Sequence, residues 1–116
     1  MRRTFLLAAI ALAAHLQGAA AQSWPARPVS MVVPFAPGGS VDVMGRILAA
    51  RLSEVLGQQV IVENIPGAGG MIGSARVAKA TPDGYEFVLG IAGTHAQNQT
   101  LYKNPLYNDQ FVPVKF

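Results

Sequence analysis

The 116-residue sequence contains no cysteine, which excludes a disulfide framework and any metal site built on thiolates. A fold formed by this chain must therefore be held together by its apolar core. Charge is scarce as well, at 13% of residues, and Lys and Arg form no run longer than two. Without a basic patch, nothing in the sequence favours binding to nucleic acid. No group of His, Asp and Glu has the spacing of metal ligands, so we expect neither a metal nor a cofactor.

The sequence also lacks an apolar run of the roughly 20 residues that a membrane-spanning helix needs. Its longest run, residues 5–14, follows Arg2 and Arg3 and precedes Ala19-Ala20-Ala21. A short basic start, an apolar stretch and a small-residue cleavage site are the three parts of a secretory signal peptide. We therefore predict that residues 1–21 direct export and are removed near Ala21. Seven basic and six acidic residues then remain, and the formal charge falls to +1.

The remaining residues follow a strand–loop–helix pattern twice and then add a third strand. Continuous β-branched runs are typical of strands that are buried on both faces of a parallel sheet. The predicted strands are residues 29–33, 59–63 and 85–91, and the predicted helices are residues 40–56 and 70–80. A βαβαβ order with right-handed crossovers predicts an α/β fold with three parallel strands, the first of them in the middle.

The first predicted helix has a clear start and an apolar stripe. Ser40 is a favourable N-cap residue, and Asp42 lies in the first turn, where the helix dipole stabilises a negative charge. Apolar side chains recur at helical spacing and are expected to face the sheet. They are Val41, Met44, Leu48, Leu52 and Val55.

Three loops follow the three predicted strands: the first loop, residues 35–40, the second loop, residues 66–70, and the third loop, residues 92–98. Loops at the carboxyl ends of parallel strands lie at one edge of a sheet and commonly line a ligand crevice. Glycine amides near helix N-termini and a few polar side chains are suited to holding a carboxylate. The candidate residues are Gly38, Gly39, Ser40, Gly67, Gly69, Gly70, Thr94, His95 and Asn98.

The same loops do not carry a complete catalytic motif. Ile72 stands where a dinucleotide-binding fingerprint needs its third glycine, and no Gly-Lys-Ser/Thr follows either glycine-rich loop. Ser40 has no base near it in the sequence, and His95 is the only histidine after residue 21. Three hypotheses stay open from the residues: a solute receptor, a small α/β hydrolase-like enzyme using Ser40 and His95, and a non-functional fragment.

Five motifs, in this order, resemble the Bug family, the TctC-like solute receptors of tripartite tricarboxylate transporters. They are Trp24-Pro25-x-Arg27-Pro28, Val32-Val33-Pro34-Phe35-Ala36-Pro37-Gly38-Gly39-Ser40-x-Asp42, Val62-Glu63-Asn64-x-Pro66-Gly67-Ala68-Gly69-Gly70-x-Ile72-Gly73, Pro82-Asp83-Gly84-Tyr85, and Gly93-Thr94-His95-Ala96-x-Asn98-x-x-Leu101-Tyr102. The resemblance extends from Trp24 to Tyr102, and the linked order makes it specific.

The resemblance implies a periplasmic receptor and no enzyme. Such a receptor has two domains in the type II periplasmic-binding-protein fold, closes on a small carboxylate-bearing solute and delivers it to the membrane subunits of its transporter. Residues 22–116 would be the N-terminal part of the first domain, with the second domain absent and the receptor truncated. In the family, loops like residues 35–42 and 94–98 meet the ligand. This implies ligand contacts from Phe35, Ala36, Pro37, Gly38, Gly39, Ser40, Asp42, Thr94, His95 and Asn98.

Overall fold

A computed structural model of the chain describes residues 23–107, and the predicted export segment, residues 1–21, lies outside this range. Three strands alternate with helices: β1 (Val29–Val33), α1 (Ser40–Leu56), β2 (Val60–Asn64), α2 (Met71–Ala78) and β3 (Glu86–Val88). A 3₁₀ turn (Ala68–Gly70) precedes α2, and a π-helical turn (Gly93–Gln97) leads into the short α3 (Asn98–Leu101). None of the helices in this described range is long and apolar enough to cross a membrane.

The three strands form one parallel sheet in the order β2–β1–β3. Val29 of β1 pairs with Val60 of β2, and Met31 of β1 pairs with Phe87 of β3. The apolar side chains of β1 are almost fully buried, as expected for a central strand covered on both faces. This arrangement confirms the predicted α/β fold with the first strand in the middle.

The third strand is shorter than the predicted residues 85–91, and a proline explains where it ends. The Leu89 N–H still donates to the Val32 carbonyl at 2.9 Å. The next bond of a parallel ladder would run from residue 34 to the Leu89 carbonyl, but Pro34 has no N–H to donate. The Ile91 N–H bonds instead to the hydroxyl of Thr94 at 3.0 Å. Because Pro34 cannot pair with it, the segment after Leu89 leaves the sheet just before the third loop.

The predicted apolar stripe of α1 is only partly right: Leu52 packs against the core, but other members of the stripe are exposed. The buried positions of α1 are Asp42, Gly45 and Ala49, whereas Met44 is 64% exposed and Val55 is 69% exposed. Gly45 permits this rotation, because a Cβ at that position would lie 2.9 Å from Val33 Cγ2. The helix therefore turns Gly45 and Ala49 to the sheet and leaves Met44 and Val55 outside, while Leu52 and Leu56 pack against the core.

The predicted N-cap of α1 is also corrected. Gly39 occupies the N-cap position in extended conformation, and no side chain caps the helix. Ser40 is the first helical residue and is exposed. Its hydroxyl is consequently not used as a cap, and the first-turn amides of α1 lie beside an exposed loop.

Candidate functional site

The three loops meet at the carboxyl edge of the sheet, as the sequence predicted. The Asn98 side-chain amide donates to the Gly69 carbonyl at 3.0 Å, which joins the third loop to the second. A Cβ added to Gly70 would lie 2.6 Å from Thr94 Cγ2 and 3.2 Å from Phe35 Cζ. The backbone of Gly70 therefore packs closely between Phe35 of the first loop and Thr94 of the third loop.

Asp42 holds the first loop against the start of α1. Its buried carboxylate accepts a hydrogen bond from the Gly38 N–H at 2.8 Å. It also forms a salt bridge with Arg46, whose Nε lies 3.1 Å from Oδ2. The Gly38 N–H, followed by the side chains of Arg46 and Asn64, lowers the pKa of Asp42 from 3.8 to about 2. Because the carboxylate oxygens are occupied within the chain, Asp42 positions the first loop and does not present a negative charge to a solute.

Asn64 is a site residue that the candidate set from the sequence missed. Its side-chain amide donates to the Phe35 carbonyl at 3.2 Å and to Asp42 Oδ1 at 2.9 Å. Its own oxygen accepts from Arg46 at 3.1 Å. The last residue of β2 therefore connects the first loop to α1. The only signal in the sequence was its place in the Val62-Glu63-Asn64 motif before the second loop.

We predict that acid loosens the first loop in a definite pH window. The folded pKa of Asp42, about 2, lies below the ordinary value of 3.8. The stability that this carboxylate contributes is therefore fully present above pH 3.8 and is lost as pH falls through about 2. The urea midpoint and the Gly38 amide chemical shift should change together over this range.

The matched control for this titration is Asp42→Asn, which should remove this component of the pH dependence. Glu63 titrates in both proteins; its pKa is lowered by the Ser30 hydroxyl and by Arg76, so the difference between the two curves isolates Asp42. Parallel curves for the two proteins would contradict the assignment.

The second loop adopts backbone conformations that are rare outside glycine. Gly67, Gly69 and Gly70 have φ values of 128°, 63° and 86°, and Ala68 between them has a φ of 47°. A left-handed alanine is strained by about 1–2 kcal/mol. Strain of this kind persists only where the surrounding structure holds it, and it clusters at ligand-contacting loops. Gly69 and Ala68 are exposed, and Gly70 is buried.

In the third loop, polar side chains that were expected to donate to a ligand bond within the chain instead. The Thr94 side chain is fully buried, and its hydroxyl contacts Ile91 N, Ile91 O and His95 Nδ1. Asn98 is buried and uses its amide on the Gly69 carbonyl. Burial lowers the pKa of the half-buried His95, which favours the neutral imidazole. These groups order the loops.

The arrangement gives no support to nucleophilic catalysis. The hydroxyl that contacts His95 belongs to the fully buried Thr94 and not to the exposed Ser40. A buried hydroxyl with three neighbours cannot reach a solute carbonyl. Within residues 23–107, no group of three or more His, Asp and Glu could hold a metal ion. The exposed residues of the first and second loops are instead uncharged and mostly small: residues 36–40, 66 and 68–69.

The sequence model of the TctC family, described as a tripartite tricarboxylate transporter family receptor, matches residues 44–114. The chain belongs to this family. Protein BugT of Bordetella pertussis is 50% identical over 93 residues, which are 77% of this chain and 28% of BugT. The resemblance found in the sequence motifs is confirmed.

Solved structures of this family have the same α/β arrangement. Periplasmic binding protein BugD is 52% identical and superposes with a TM-score of 0.70 over 73% of this chain and 28% of its own. MatC from Rhodopseudomonas palustris with bound malate is 41% identical, with a TM-score of 0.71 over 73% of this chain and 29% of its own. The chain spans between 24% and 34% of the length of the curated relatives that it matches. The described unit thus corresponds to part of a periplasmic binding protein.

Proposed function

We propose that residues 23–107 form one wall of a solute cleft, in a receptor that takes a small organic carboxylate to a tripartite tricarboxylate transporter. The observation that carries the proposal is that the N-terminus of α1 is exposed to solvent at the edge of the sheet where the three loops meet. Gly39 and Ser40 are exposed there, while Asp42 and Asn64 hold the loop from behind. Membership in a receptor family and the bound malate of MatC agree with this chemistry.

Backbone amides supply the attraction for the anion. The first N–H groups of an α-helix have no partner within the helix, and the dipole of the 17-residue α1 adds positive potential at that end. No side chain caps these groups. A solute carboxylate placed against Gly39 and Ser40 would accept their hydrogen bonds without meeting a free negative side chain, because Asp42 is already paired with Arg46.

The predicted site residues then divide into two roles. One set offers backbone or exposed side-chain contact to the solute: Ala36, Pro37, Gly38, Gly39, Ser40, Gly67 and Gly69. The other set fixes the loops: Phe35, Asp42, Gly70, Thr94, His95 and Asn98. Asn64, which the sequence did not predict, acts with this second set. Positioning by the second set matters because amide recognition of a carboxylate depends on geometry that must exist before the ligand arrives.

The properties of the whole receptor are proposed on the same grounds. A periplasmic location follows from the family and from the predicted export signal in residues 1–21. The partners would be the carboxylate solute and the membrane subunits of the transporter. The chain covers about a third of its relatives, so the opposite wall of the cleft would come from the segment of the relatives that it does not match.

A chemical-shift titration tests the carboxylate proposal. Malate and its neutral diamide are added separately to the ¹⁵N-labelled chain. We expect malate to shift the amides of Gly39, Ser40 and Gly69, because charged hydrogen bonds form there, and the diamide to shift them far less.

Gly84 provides the internal control for that titration. It lies against Trp24, away from the three loops, and its amide should not move. Equal shifts from malate and the diamide, or shifts centred on Gly84, would overturn the proposal.

A further inference from the structure

The imidazole of His95 lies close to the backbone of Gly90. A Cβ at Gly90 would stand 2.5 Å from both Cε1 and Nδ1 of the ring. Gly90 does not have a positive φ, so backbone conformation alone does not require glycine there. The position requires glycine because the ring occupies the space of a side chain.

The hydrogen bonds around Thr94 favour one tautomer of His95. The Thr94 hydroxyl contacts Ile91 N and Ile91 O, each at 3.0 Å, and His95 Nδ1 at 2.7 Å. The Ile91 N–H can only donate, and the Ile91 carbonyl, which also accepts the His95 N–H at 3.0 Å, can only accept. With a proton on His95 Nδ1, all three contacts of the Thr94 hydroxyl are hydrogen bonds: it accepts from Ile91 N–H and from Nδ1–H and donates to the Ile91 carbonyl. The opposite tautomer would leave two oxygens 3.0 Å apart with no proton between them.

Thr94 is held on its other sides as well. The Tyr107 hydroxyl donates to the Thr94 carbonyl, and the rings of His95 and Tyr107 lie 5.8 Å apart. The Thr94 methyl group contacts the backbone of Gly70 in the second loop. A movement of the imidazole would therefore displace Thr94 and, with it, the backbone of Gly70 in the second loop.

We propose that Gly90, which lies just before the third loop, is a positioning residue for that loop. It holds His95 as the Nδ1–H tautomer and thereby fixes Thr94 against Gly70. The consequence for ligand binding rests on the proposed function, since the second and third loops are part of the same carboxylate site. The tautomer and its dependence on Gly90 do not rest on it.

Long-range ¹H–¹⁵N correlation spectra of the imidazoles test the inference on the whole chain without ligand. His95 is distinguished from His15 by the signals lost in His95→Gln. At a pH where the ring is neutral, we expect a protonated, pyrrole-type Nδ1 and an unprotonated Nε2. Gly90→Ala should abolish this pattern and give the mixed, Nε2–H-rich signals of an unrestrained imidazole.

Two variants separate this positioning role from a general loss of structure. Gly93→Ala is the matched control, because its added Cβ would have no neighbour closer than 3.6 Å, and it should retain the Nδ1–H pattern. Thr94→Val removes the hydroxyl and should lose the pattern even if Gly90→Ala fails to fold. An Nε2–H tautomer in the parent chain, or an unchanged pattern in Gly90→Ala or Thr94→Val, would overturn the inference. If the pattern holds and malate shifts no amide, the proposed function fails while this assignment stands.

Discussion

Replacing Gly70 by alanine is expected to lower the free energy of unfolding by about 2–4 kcal/mol, the combined cost of a left-handed alanine and an overpacked site. Gly70 has a φ of 86°, and its new Cβ would lie 2.6 Å from Thr94 Cγ2 and 3.4 Å from the Pro34 carbonyl oxygen. Thr94 cannot move aside, because its hydroxyl and carbonyl are both hydrogen-bonded. Urea unfolding followed by circular dichroism measures the loss.

Gly57→Ala is the matched control for this prediction. Gly57 ends α1 with a φ of 65°, and an added Cβ there would have no neighbour within 4 Å. Only the backbone strain applies, so we expect a loss of about 1 kcal/mol. If the two substitutions cost the same, Gly70 is needed only for its conformation, and the close contact between the loops does not contribute to stability.

The order and direction of the strands could be predicted because they depend on patterns that are local in the sequence. The apolar run of β1 and the two strand–loop–helix repeats leave few topologies once right-handed crossovers are required. Strand β1 was predicted with its observed bounds, Val29–Val33, and α1 with its observed bounds, Ser40–Leu56. The end of β3 was not predicted, because it depends on Pro34, the residue that follows the neighbouring strand β1.

The orientation of α1 could not be predicted from hydrophobicity. Periodicity placed Met44 and Val55 against the sheet, but close approach at Gly45 and the bonds of Asp42 to Gly38 and Asn64 set the rotation of the helix. A glycine contact and a buried carboxylate together outweighed an apolar stripe. Sequence periodicity does not record such distances, since they depend on residues outside the helix, such as Val33 and Asn64.

The placement of the candidate site could be predicted, but the roles of its side chains could not. Three loops after three parallel strands must share an edge, and Asn98 and Gly69 meet there. Whether a side chain faces a solute or its own chain depends on neighbours from other loops. Thr94 and Asn98 were expected to be donors to a ligand, and their partners in the structure are Ile91, His95 and Gly69.

The chain by itself is expected to bind a carboxylate solute with a dissociation constant on the order of millimolar or weaker, which corresponds to about 4 kcal/mol or less. Small-molecule sites commonly enclose about 70–90% of their ligand, and two facing walls are needed to do so. The described residues supply one open edge, in which Gly38, Gly39 and Ser40 are all exposed. A carboxylate there would keep much of its hydration, and water would compete for the same amides.

Calorimetry of residues 22–116 against di- and tricarboxylates and carboxylate-bearing amino acids measures this affinity. The oligomeric state must be measured in parallel, because Ile47 and Val55 are each 69% exposed on α1, and apolar surface of this kind promotes self-association. A second copy packed over the site would supply a facing wall, so a monomer is the informative sample. Micromolar binding by a monomer would contradict the prediction, because it would mean that one edge with three loops encloses the solute without a facing domain.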